Sequence, residues 1–150
     1  ALAEAYRMAP LTTLQADRSA ADPFEAAQGL ILSGQTGPEA IDLLSALEAN
    51  DPNYLKAQYL LAHSYLHEKE YEKALLRFEV LLANSADASG WVELHELDWN
   101  LAICLLGAGR EDQARKALDE IAHKPGHPQA GRAEELLEDL DSPWHALTWR

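Results

Sequence analysis

Apolar residues recur at three- and four-residue steps along almost the whole chain. Leu60, Leu61, Tyr65 and Leu66 form one such run, and Leu75, Phe78, Leu81 and Leu82 form another after a polar gap. No stretch alternates for long enough to make a half-buried strand, and β-branched residues are too sparse for a sheet. This periodicity restricts the chain to an all-α fold. A second regularity narrows it further. Ala40 and Ala74 lie 34 residues apart, each early in a helical run, and Leu44/Phe78 and Leu47/Leu81 follow in the same register. Ala114, Leu118 and Ile121 repeat the pattern 40 residues after Ala74, so six extra residues fall in the 84–90 region. A two-helix unit recurring at this interval predicts stacked antiparallel helix pairs. The alanines at Ala40, Ala62, Ala74, Ala102 and Ala114 let neighbouring helices approach closely.

Helix ends are marked by the residues that stop helices. Asp22-Pro23-Phe24-Glu25 supplies a cap, a proline in the first turn and a glutamate three residues after the cap. Gly34, Gly37 and Pro38 separate that helix from one running to about Ala49, which Asn50-Asp51-Pro52 closes. Helices are then expected over about 53–67 and 71–83, a loop over 84–90, and a long helix to about Leu106. Gly107 and Gly109 make the next turn, followed by helices over about 111–122 and 130–140 on either side of the Lys124–Pro128 loop. One domain is expected: a partly helical segment 1–21 interrupted near Pro10, repeats over 22–52, 53–86 and 91–123, a closing helix within 127–140, and a tail 141–150.

Composition limits the partners. The net charge is −13 with the acid spread along the chain, and 47% of residues are hydrophobic. Such a surface repels nucleic acid and anionic lipid, while a basic partner complements it. No apolar run approaches the ~20 residues of a membrane span, so no membrane insertion by this segment is expected. The first residue is alanine rather than Met, as expected of an excised or processed piece. The single cysteine, Cys104, excludes an internal disulfide and sits in an apolar run, as a small buried hydrophobe would.

Residues 55–86 resemble a tetratricopeptide repeat, through Leu61-Ala62, Tyr65, Tyr71, Ala74, Phe78 and Leu81 in order and spacing. Residues 22–52 match with Gly37 in place of the usual aromatic and end in the expected Pro52; residues 95–122 match through Leu101-Ala102, Leu105, Gly109, Ala114 and Leu118. The resemblance covers about two thirds of the chain and specifies fold far better than function. It implies a short right-handed α-superhelix of about three repeats with a C-terminal capping helix. Residues 97–140 also look like the C-terminal part of a group of bacterial tetratricopeptide proteins, often placed outside the cytoplasmic membrane behind one upstream span. Such a setting is what that narrower resemblance implies.

The family's first helices line a concave surface. The same register puts Lys56, Tyr59, His63, Leu66 and His67 on that stripe in the second repeat. Asp22, Glu25, Gly29, Leu32 and Ser33 occupy it in the first, and Glu96, Trp99, Ile103 and Leu106 in the third. The resulting groove is aromatic and apolar with carboxylates and two imidazoles. It lacks the Lys, Arg and Asn needed to clamp an acidic tail, so a segment with apolar anchors and positive charge fits better. The function implied is a non-catalytic protein-binding domain, with self-association or a structural scaffold as the alternative.

Other chemistry is poorly supported. His63 and His67, one turn apart, present the spacing of two metal ligands, which would define a metal-responsive module. They have no third ligand nearby in sequence, although Glu25 or Glu96 on neighbouring first helices could supply one. GLILSGQTG at 29–37 has Gln35 where a phosphate loop requires lysine, and a helix where it requires a strand. No nucleophile constellation is legible, and nothing calls for a cofactor. Trp91 and Trp99 fit core packing, whereas Trp144 and Trp149 suit either a tail capping the helices or an aromatic docking strip.

Overall fold

The computed structural model describes Ala3, residues 21–35 and residues 37–144. The remainder of the N-terminal segment, including the interruption near Pro10, and the tail with Trp149 lie outside the described residues. Those described are helical with no strand among them, as the periodicity requires. The helices are α1 (Ala21–Leu32), α2 (Pro38–Ser45), α3 (Tyr54–His67), α4 (Tyr71–Ala83), α5 (Ser85–Ala88), α6 (Leu94–Gly107), α7 (Glu111–Ala122) and α8 (Ala130–Asp141). No helix among them is long and apolar enough to cross a membrane.

From residue 21 onward, the boundary between two compact units falls between Val92 and Glu93. In the first, α4 packs along α3, α2 bridges α1 and α3, and the short α5 follows α4. In the second, α6 packs on α7 and α7 on α8. Trp91 and Val92, expected to open the third repeat, belong with the first unit. The Trp91 ring meets Tyr59 edge-on, 5.8 Å between centroids.

The three hairpins α1–α2, α3–α4 and α6–α7 close their first helices in the same way. Each ends on a residue in the left-handed region: Gly34 (φ 82°), Lys69 (φ 60°) and Gly109 (φ 78°). The N–H of that residue donates three residues back, to the carbonyls of Ile31, Leu66 and Leu106. The following N–H donates five back, from Gln35 to Leu30, Glu70 to Tyr65 and Arg110 to Leu105, at 2.8 to 2.9 Å. This is the paired-bond stop that satisfies the last carbonyls of a helix. The second helices repeat as well. Ala40 and Leu44 with Leu47 just past the end of α2, then Ala74, Phe78 and Leu81, then Ala114, Leu118 and Ile121 are all buried.

Two boundaries differ from those expected. Helix α2 stops at Ser45 rather than near Ala49, where the Ala46 and Leu47 N–H groups turn back onto Asp42 and Leu44. The 84–90 loop contains the single turn α5, started by Asn84, whose carbonyl accepts from both Asp87 and Ala88. Before α3, the Asn53 N–H donates to Asp51 Oδ1 at 2.8 Å, an Asx turn that sets the entry angle after Pro52.

Candidate functional site

The predicted stripe is open on one first helix and closed on the other two. On α1, Glu25, Gly29, Leu32 and Ser33 are exposed, and Leu32 keeps 55% of its surface in solvent. A side chain added at Gly29 would meet nothing within 4 Å. Residues 25, 29 and 32 follow helical spacing, so these form one strip with a carboxylate at one end and an aliphatic side chain at the other.

On α3 the expectation of an exposed face is corrected. Tyr59 has no exposed surface, and His63 and Leu66 are buried with it. The Tyr59 ring lies 4.5 Å from that of His63, and His63 meets Phe78 of α4 edge-on at 5.7 Å. Lys56 is half-buried, and His67 alone projects well into solvent, with Nδ1 3.6 Å from Glu68. On α6, Trp99 and Ile103 are likewise buried, while Glu96 is half-buried. The physical reason was readable. Lys56 is the one Lys, Arg, Asp or Glu in α3, and α6 carries none after Asp98, so each helix is apolar around most of its circumference. A helix of that composition is covered over most of its surface.

The His63/His67 pair therefore does not present two imidazoles to one ion, because one ring is inside and the other outside. Among the described residues, no three His, Cys, Asp or Glu side chains are placed to hold a metal. Trp144 is 69% exposed just beyond α8, so it is not packed as a cap over the helices.

A cluster that drew no attention in the sequence sits where α6, the α7–α8 connection and α8 meet. Lys124-Pro125-Gly126-His127 forms a tight turn in which the His127 N–H donates to the Lys124 carbonyl at 3.2 Å. Proline in the second place and Gly126 at φ 74° in the third meet the demands of a type II turn. The turn delivers His127 inward, its side chain without exposed surface. Its ring lies 4.6 Å from that of His95, and Nε2 is 3.8 Å from Asp98 Oδ2. Asp98 is itself held by Lys124 Nζ at 3.0 Å. Burial first, then the neighbouring His95, keeps His127 below the usual histidine range, with Asp98 pulling the other way and Lys124 adding to the depression. The PGHP stretch was the only signal, and it reads as a loop until the turn type shows which way the imidazole points.

Beside this cluster, Asp98, Leu101, Ala117, Glu120, Ile121 and Lys124 line a cleft of about 120 Å³ between α6 and α7. That is well below the roughly 300 Å³ at which ligand pockets begin. Comparison with family models, with curated proteins and with solved structures returns no match.

Proposed function

We propose that this chain is a non-catalytic interaction domain of tetratricopeptide-like helix pairs that binds a protein segment carrying apolar anchors and basic residues. The observation that carries the reading is the open strip on α1. Glu25, Gly29 and Leu32 stand exposed at the register positions that helix-pair arrays use for partner contact. An exposed leucine beside a carboxylate, on a chain of net charge −13, complements an apolar side chain flanked by Lys or Arg. The recurring hairpin stop and the three buried register positions that recur at 40/44/47, 74/78/81 and 114/118/121 support a repeat architecture, which we extend to a right-handed superhelix. Tyr59, His63 and Leu66 on α3, and Trp99 and Ile103 on α6, are buried and then serve as packing within their own units rather than as partner contacts.

A displayed random-peptide library panned on the whole chain tests this. Enriched peptides should be basic with one or two large apolar residues. Leu32→Lys should weaken a selected peptide at least about tenfold, as loss of one apolar anchor with added like charge requires. The thermal midpoint should stay unchanged. Selected peptides indifferent to Leu32→Lys and Glu25→Lys would overturn the proposal.

Trp144 favours a second reading, self-association through the end of the second unit, because a large aromatic at 69% exposure is a ready anchor. Light scattering across a concentration series should then show a mass that rises, and that stays monomeric in Trp144→Ala. A monomer throughout would remove this reading.

A further inference from the structure

We propose that His127 is an acid-released latch, holding the α7–α8 connection against α6 and keeping Arg132 over Trp99. The argument begins with the tautomer. The Gln129 backbone N–H donates to His127 Nδ1 at 3.1 Å, so the neutral ring carries its proton on Nε2. That Nε2 is buried and has no hydrogen-bond acceptor within reach, Asp98 Oδ2 being 3.8 Å away and already bonded to Lys124. A second proton must therefore go onto Nδ1, the atom at which the Gln129 N–H points. Two donors then face one another, and the bond that closes the turn is lost.

The surrounding groups decide how far this opposes charging. From α6, His95 and Asp98 face the ring, and from the connection itself Lys124 does. On α8, Arg132 stands one step removed, through Gln129. Two of the groups against His127 are cationic or become so in acid, and the one carboxylate is shared with Lys124. The enclosed ring is thus held neutral, and its depressed pKa agrees.

What the latch controls follows from Gln129. Its carbonyl accepts the Ala133 N–H at 2.8 Å, which starts α8. Its side-chain Oε1 accepts from Arg132 Nη1 at 3.3 Å, and the Arg132 guanidinium lies 5.1 Å from the centre of the Trp99 ring. Release of His127 frees Gln129, loosens the first turn of α8 and removes Arg132 from the Trp99 face. The sign is fixed by linkage. A histidine whose pKa is lower when latched than when released stabilises the latch above its ordinary pKa, and this stabilisation is lost as pH falls through the latched value.

The test is a nitrogen-detected imidazole titration of the whole chain, with hydrogen exchange over residues 127–133 followed from about pH 7.5 to about pH 5. His127 should show an unprotonated Nδ1 at neutral pH and titrate below the usual histidine range. After correction for intrinsic chemistry, exchange should rise roughly tenfold per pH unit between the released and latched pKa values. His127→Asn keeps an acceptor for Gln129 and cannot titrate, so its exchange should lose the acid response. A His127 that titrates at or above the ordinary value overturns the latch, and this readout needs no variant. Equal acid responses in the wild type and His127→Asn would also overturn it.

Discussion

Lys69 occupies the left-handed position that glycine holds in the other two hairpins, and the three stops make the same hydrogen bonds. Replacing it with glycine relieves the backbone preference, and a second substitution separates that from the contribution of the side chain. A side chain with Cβ in this region costs about 1–2 kcal/mol. Glycine returns about 0.4–1 kcal/mol of that through the greater freedom of its unfolded chain. Lys69→Gly is expected to stabilise by about 0.5–1 kcal/mol, raising the thermal midpoint by about 1–4 °C for a chain of this size. Lys69→Ala separates the side chain from the backbone, because alanine retains Cβ and should lie within about 0.5 kcal/mol of wild type. The mirror substitution is Gly109→Ala. An added Cβ there meets nothing within 4 Å, so the φ of 78° alone opposes it, and the loss should be about 0.5–1.5 kcal/mol. Thermal and urea unfolding followed by far-ultraviolet circular dichroism measure all three. If Lys69→Gly is neutral or destabilising while Lys69→Ala is neutral, the three stops are not equivalent and the repeat argument fails with them.

Other expectations follow from single sites. Phe78, with no exposed surface and its ring against His63, should cost about 3–5 kcal/mol when cut to alanine, read as a fall in the urea midpoint. Burial pushes the Cys104 thiol up to about 12, so a thiol reagent at mildly alkaline pH should label it only after denaturant is added. Arg115 donates to Asp141 at 2.7 Å, to the Leu140 carbonyl at 3.0 Å and to Glu111 at 3.1 Å. Because its side chain is 30% exposed, Arg115→Ala should cost only about 1 kcal/mol, with exchange rising first at the C-terminal end of α8. His123, at the end of α7 and bonded to the Asp119 carbonyl, has its pKa raised. Its contribution is present below the unfolded pKa and lost as pH rises through the folded one, so ring-proton spectra should show His123 titrating above His127.

The helices and their pairing were legible because they depend on local patterns. Four-residue apolar steps, the glycines at 34 and 109 and the small residues at 40, 74 and 114 each place an element without reference to distant chain. Lys69 escaped notice as a stop because nothing in a lysine announces a left-handed backbone. The candidate site was legible only on α1. Register puts Glu25, Gly29 and Leu32 on one exposed strip of α1, but whether a stripe is open depends on what covers it, and periodicity does not report that. The near absence of charge in α3 and in the second half of α6 was the available sign of enclosure. His127 was invisible for a different reason: its burial follows from a turn that reverses the chain, not from a helical face.

The central claim is that the open strip of α1 receives a basic, apolar segment. Backbone amide spectra of the isotopically labelled chain, titrated with a library-selected peptide, address it directly. The account predicts that the largest shifts fall on Glu25, Gly29, Leu32 and Ser33 and disappear in Leu32→Lys. Shifts centred on Trp144, or a peptide that binds without moving the α1 amides, would contradict it.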